Sequence, residues 1–340
     1  MNYREIELKA KETIGPHCKV CPECNGIACK GKIPGPGGKG TGIGFIRNYA
    51  DLKKIMLKMD TIHGELETDT SRELFGMTFD LPVFAGPVGA VQLHYSSLYD
   101  DTTYSEVVLK GCKAAGSIAF TGDGVKDEVF IGTMDATMKL EGHGIPTIKP
   151  WSKDEVIAKV RMAEKAMAVA VAMDIDAAGL SILAAQGKPV SPMTVETLKE
   201  IIGSTRLPFI LKGIMTAEGA RKAADAGAYA IIVSNHGGRV LDETPSSISV
   251  LKDIVEAVKG QVKIFIDGGF RSGLDVFKAM ALGADAVIIA RPYVTAAYGG
   301  GEEGVAAYTD KIREELANAM LMTGCKTLKD ITNDKIQCCL

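Results

Sequence analysis

The 340-residue sequence predicts an α/β chain of the (β/α)8, or TIM-barrel, class, preceded by a cysteine-containing extension. Three observations lead there. After about residue 80, short apolar runs alternate with amphipathic helical stretches, and several runs (Ala230-Ile231-Ile232-Val233 is one) are almost wholly hydrophobic. Parallel strands covered by helices require that pattern. The runs number eight, the count of a closed barrel, whereas a doubly wound sheet more often has about five or six strands. The 38 glycines gather at the ends of the runs, where tight turns bring backbone close to other groups.

In order, the expected strands are Leu81–Ala85, Ser117–Thr121, Pro146–Lys149, Ala168–Met173, Phe209–Leu211, Ala230–Ser234, Lys263–Asp267 and Ala286–Ala290. Between the sixth and seventh, Ile248, Leu251, Ile254, Val255 and Val258 recur at helical spacing and put one apolar face inward. Further helices are expected near Thr194–Ile202, over Leu274–Leu282 and, as a closing helix, over Glu303–Met322. The organisation read from this is an extension over residues 1–75, a barrel over 76–332 and a tail over 333–340 that ends Cys338-Cys339-Leu340.

Composition narrows the function classes. Apolar residues make up 46% and charged residues 24%, which is globular, and the formal charge of −3 gives no reason to expect a nucleic acid or an anionic membrane as partner. No apolar run approaches the roughly 20 residues that cross a bilayer. The charged start, MNYREIELKAKETIG, does not read as a signal peptide, so a cytoplasmic location is expected and the eight cysteines are expected as thiols or metal ligands.

Chemistry in such barrels sits at the C-terminal ends of the strands. The polar residues there are Gly86-Pro87, Gly122-Asp123, Lys149, Asp174, Lys212, Ser234-Asn235-His236, Asp267-Gly268-Gly269 and Arg291. The strongest motif is Ser234-Asn235-His236-Gly237-Gly238-Arg239. A histidine at a strand end, three residues before an arginine, can pair a proton acceptor with a carboxylate anchor, although a capped turn alone would give the same letters. Glycines at Gly268-Gly269, with Arg271 and then Arg291 after the last two strands, suit a phosphate, the recurrent cofactor geometry of the fold.

These residues belong to a longer stretch, from LKGIMTAEGARKAADAGAYAIIVSNHGGRVLDETPSSI to FIDGGFRSGLDVFKAMALGADAVIIARP. It resembles the FMN-dependent 2-hydroxy-acid oxidase and dehydrogenase family. The resemblance is dense from about Leu207 to Ile331 and thinner from Gly44 to Thr121. It implies FMN as cofactor, a small L-2-hydroxy acid (lactate-like) oxidised to the 2-oxo acid, and O2 or a redox protein as electron acceptor. It also implies a homo-oligomer. By the same resemblance His236 is the catalytic base, Arg239 holds the substrate carboxylate and Lys212 faces the flavin. Pro87, Val88, Gly89, Lys149 and Ser234 lie along the ring, Asp267, Gly268, Gly269 and Arg271 along the ribityl-phosphate, and Arg291 on the phosphate. A flavin-dependent isomerase of the isopentenyl diphosphate type is a second reading, which the His236–Arg239 pair argues against; a flavin redox protein with altered substrate is a third.

The first half of the chain departs from the family pattern. No early tyrosine aligns, and the third-strand position reads Lys149-Pro150-Trp151, so Trp151 is expected beside the substrate where the family carries a tyrosine. The loop after the fourth strand is short and holds no arginine before Arg206. Cys18, Cys21, Cys24 and Cys29 have the density of a metal site, for zinc or an iron–sulfur cluster, or are free thiols in a loop. His63, His94 and His143 have no partner spacing and are expected as ordinary surface or core residues, and Cys112 and Cys325 as buried thiols.

Overall fold

Every one of the eight expected runs contributes a strand, in a computed structural model that describes residues 2–180, 183 and 185–338. Ahead of the barrel come helices α1 (Tyr3–Thr13) and α2 (Ile43–Lys53), strand β1 (Ile55–Leu57) and the hairpin β2 (Arg72–Leu74) to β3 (Met77–Phe79). The barrel strands are β4 (Val83–Ala85), β5 (Phe120–Thr121), β6 (Ile145–Ile148), β7 (Val171–Asp174), β8 (Phe209–Ile214), β9 (Ala230–Val233), β10 (Lys263–Asp267) and β11 (Ala286–Ile289). They pair in parallel in chain order; β11 returns to β4, and a bridge from Ala85 to Ala119 closes the ring. The helices between them include α3 (Val91–His94), α4 (Asp101–Ala114), α5 (Asp127–Lys139), α6 (Lys153–Lys165) and α7 (Val195–Gly203). Then follow α8 (Ala217–Asp225), α9 (Ser247–Val258), α10 (Gly273–Ala281) and α11 (Arg291–Leu321).

Two cores result from the alternation of side chains along the strands. One fills the barrel interior: Phe84, Phe120, Ile145, Ile210, Ile232, Phe265 and Ile288 meet there, with Leu74 and Phe79 of the hairpin packed against them. The other lies between strands and helices, where Val233, Ile266 and Val287 face Leu251, Ile254 and Phe277. Each such side chain contributes about 1.5–3 kcal/mol by leaving water. Short polar N-caps start the helices, among them Thr194, Thr216, Ser246 and Ser272, whose hydroxyls each accept from a backbone N–H three residues on.

Three features differ from the sequence expectation. The closing helix begins at Arg291 instead of Glu303 and is broken at Gly301, whose φ of 58° no ordinary helix holds. The segment expected as a tail contributes β12 (Ile336–Cys338), antiparallel to β1; Cys339 and Leu340 lie outside the described residues. The glycine- and proline-rich loop after the cysteines is stitched down: the Lys39 N–H donates to the Gly238 carbonyl, Lys39 Nζ to the Val240 carbonyl and the Thr41 N–H to Asp242. Among the described residues no helix is long and apolar enough to cross a membrane.

Candidate active site

At the C-terminal rim of the barrel a cavity of about 1120 Å³ opens. Of the expected site residues, Pro87, Val88, Gly89, Lys149, Lys212, His236, Arg239, Asp267, Gly268, Gly269, Arg271 and Arg291 line it. Ser234 lies just behind, fully buried, its hydroxyl accepting from the His236 N–H at 3.0 Å.

His236 leaves β9 in the left-handed region (φ 56°), followed by Gly237 and Gly238 at φ 62° and 76°. Such a turn costs a β-carbon residue strain, and at Gly238 a side chain would also overlap the Phe45 backbone. Gly238 therefore lets α2 approach the turn that aims His236, and Gly237 makes room for the Arg291 guanidinium. Its Nδ1 lies 3.0 Å from Asp176 Oδ1, in the short turn after β7. A neutral imidazole donating there keeps Nε2 as the lone-pair nitrogen. Asp176 lies two residues beyond the end of β7, outside the positions directly after each strand that sequence singles out.

Lys212 Nζ lies 3.0 Å from Asp174 Oδ1 and 3.8 Å from Asp267 Oδ2, and Lys149 Nζ lies 2.6 Å from Asp174 Oδ2. Burial alone would lower the Lys212 ammonium, but Asp174, with Asp176 and Asp267, outweighs it and holds the pKa above that of an ordinary lysine. For Asp174 burial is likewise overcome, by Lys149 and Lys212, and its carboxyl is held below the usual range. Asp267 goes the other way, raised by burial against the pull of Lys212. Asp174, Asp176 and His236 offer three ligand atoms within 4.8 Å of one another, but Lys212 already supplies the positive charge there.

Arg239, expected to hold the substrate carboxylate, is itself positioned by backbone carbonyls. Its Nη1 donates to the carbonyls of Gly35 and Gly37, both at 2.8 Å, which leaves its remaining N–H groups for a ligand. Burial, then Arg291, lowers its pKa to about 10, still fully charged at neutral pH. Nη2 faces His94 Nε2 at 3.4 Å. Since His94 Nδ1 accepts the Gly35 N–H at 3.0 Å, a neutral ring carries its proton on Nε2, and two donors converge. Burial, with Arg239 and His17, holds His94 down to about 4, so the ring is neutral. His94 was expected as an ordinary residue; nothing in its spacing ties it to a partner 145 residues away.

Trp151, expected against the substrate, is not on the cavity wall. Its indole N–H donates to Asp123 Oδ2 at 2.6 Å, and Lys159 and Lys188 lie over its ring. Asp123 draws it inward because the same carboxylate also takes Lys159 Nζ at 2.6 Å and the Lys149 N–H. His143 and His63 bond backbone carbonyls, and Cys112 and Cys325 are buried.

The residues fit FMN. The cavity is ample for it. A carboxylate oxygen of Asp267 is buried on its wall without a partner, and Lys212 and Arg291 stand at two strand ends where ring and phosphate charges need cations. Arg291 gives Nε to the Pro36 carbonyl and Nη2 to the Gly237 carbonyl, keeping Nη1 for a ligand. Arg271 lines the cavity, but its guanidinium is engaged: Nε and Nη2 donate to the Cys24 carbonyl and Nη1 to that of Phe270. Gly268 and Gly269, at φ 99° and 91°, also make room for Asn48 of α2, so the cradle glycines serve packing as well.

The profile of one protein family, described as FMN-dependent dehydrogenase, matches residues 36–188 and 146–338. The peroxisomal (S)-2-hydroxyacid oxidase GLO3 of Arabidopsis thaliana is 46% identical over 143 residues, which cover 42% of this chain and only 39% of the relative. The 4-hydroxymandelate oxidase of Amycolatopsis orientalis is 31% identical over 324 residues, 86% of this chain and 89% of that one. A crystal structure of mandelate oxidase with benzoyl-formic acid superposes with a TM-score of 0.79 at 26% identity, over 99% of this chain and 97% of that one.

Proposed function

Because the chain belongs to the FMN-dependent dehydrogenase family, we propose that it oxidises a small L-2-hydroxy acid, lactate-like in size, to the 2-oxo acid. The observation that carries this is the convergence of His236, Arg239 and Lys212 on one cavity, with Asp176 on His236 Nδ1. FMN, when bound, supplies the acceptor for the two electrons that leave the substrate. Lys212, Asp267, Gly268, Gly269 and Arg291, with Pro87–Gly89 and Lys149, are the residues that would hold it.

Arg239 and His94 hold the substrate carboxylate between Nη2 and Nε2–H, a two-donor grip. His236 takes up the substrate proton at Nε2, and Asp176 stabilises the imidazolium so formed. The lysine pair Lys149 and Lys212, of which Lys212 is buried, keeps positive charge at the rim as negative charge develops. The relatives named for (S)-2-hydroxy acids and for 4-hydroxymandelate share a carboxylate and an α-hydroxyl, which is what this grip reads. The electron acceptor is O2 or a redox protein.

Anaerobic addition of L-lactate, glycolate and mandelate to the yellow holoprotein tests the reading. The flavin absorbance should bleach with at least one of them. A flavin that dithionite reduces but none of the acids reduces would refute it.

A further inference from the structure

The second cavity, of about 270 Å³, is lined by all four clustered cysteines, Cys18, Cys21, Cys24 and Cys29. They are free thiols, each partly buried, and a loop of bystander cysteines has no reason to turn them into a common space. The remaining wall supplies what an anionic metal cluster needs. Lys19, Arg271, Arg291 and Lys311 outnumber the carboxylates Glu7 and Glu23 there, and Phe45, Tyr95 and Tyr308 keep water off. One cation is already in place on a sulfur: Arg271 Nη2 donates to the Cys24 carbonyl at 2.7 Å and lies 3.5 Å from Cys24 Sγ.

The size of the set distinguishes an ion from a cluster. Four thiolates about 2.3 Å from one tetrahedral zinc stand about 3.8 Å from each other. Among the described residues, no three of these sulfurs fall within 4.8 Å of one another. A four-iron cluster is itself a cube of iron and sulfide, so its cysteine sulfurs stand farther apart around a central volume. The spacing Cys-x2-Cys-x2-Cys lets one turn of loop present three ligands to such a volume, and Cys29, on the same wall, supplies the fourth.

We propose that Cys18, Cys21, Cys24 and Cys29 ligate a [4Fe–4S] cluster in this cavity, charge-balanced by Arg271, Arg291 and Lys311. Arg271, Arg291 and Tyr95 line this cavity and the large one alike, so the cluster stands one guanidinium layer from the flavin cavity. The site is independent of which substrate the enzyme oxidises, and its test reads no activity.

Full-length protein purified without oxygen should carry about four iron and about four acid-labile sulfide per chain. After dithionite reduction it should show a fast-relaxing, low-temperature EPR signal distinct from a flavin radical. Cys21→Ser and Cys24→Ser should each lose iron, sulfide and signal, while Cys338→Ser, at an exposed thiol, should keep them. If the cysteine variants do not fold, the wild-type iron, sulfide and EPR measurements decide alone. Stoichiometric zinc without sulfide would overturn the proposal, and so would a protein that takes up neither iron nor sulfide on anaerobic reconstitution.

Discussion

Replacing Asp176 by Asn removes one charge and leaves the size of the side chain unchanged. In the wild type, Oδ1 lies 3.0 Å from His236 Nδ1, in a site where the carboxylate is almost wholly shielded from water. A hydrogen bond to a charged group contributes about 1.5–3 kcal/mol, and each 1.36 kcal/mol is tenfold in rate, so the loss should be about 10- to 150-fold in kcat/KM. The amide can also turn its NH2 toward Nδ1, which moves the ring proton to Nε2 and removes the base, so the larger figure is the one to expect. Single-turnover reduction of the bound flavin by L-lactate, followed by stopped flow against pH, isolates the step. Flavin content serves as the folding control, and Asp176→Glu should recover part of the rate. An Asp176→Asn variant that binds FMN and reduces it at the wild-type rate across the pH range would refute the assigned role.

Two further outcomes follow from the buried groups. His94 is neutral in the folded chain, with its pKa lowered from 6.5 to about 4, so acid favours the unfolded chain, which binds the proton more readily. Stability should therefore fall between pH 6.5 and about 4 by at most about 3 kcal/mol and level off below, and urea midpoints of His94→Gln should show a shallower slope. Trp151→Phe strips the indole donor from Asp123 and should cost about 1–3 kcal/mol in unfolding free energy. Its KM for the hydroxy acid should stay near the wild-type value; a large rise in KM would put Trp151 back in the substrate site.

The barrel was legible because its information is local. Runs such as Ala230–Val233 and Ala286–Ile289 are apolar throughout, and the residues after them (His236, Asp267 and Arg291) mark the rim by position alone. What stayed hidden depends on contacts between distant segments. The loop at residues 35–41 reads as irregular, yet Arg239, Arg291 and Asp242 pin it across the mouth from about 200 residues away or more. That loop brings Gly35 to His94, fixes the ring's proton and so turns an ordinary histidine into a donor beside Arg239. Trp151 departs from its expected place for a similar reason: its position two residues after Lys149 says nothing of Asp123, whose carboxylate draws the indole N–H away from the cavity. Arg271 follows its motif in sequence but is captured by Cys24, a residue of the extension.

As the proposed base for oxidation of a 2-hydroxy acid, His236 must be needed for flavin reduction by the acid but not for holding the flavin. Anaerobic flavin reduction by L-lactate in His236→Gln measures that requirement most directly. General-base catalysis is worth about 10²- to 10⁴-fold, so the variant should retain FMN and lose at least about 10²-fold in the rate of reduction, with photoreduction of the flavin unaffected. A variant that holds FMN and is reduced by the acid as fast as the wild type would show that His236 is not the base.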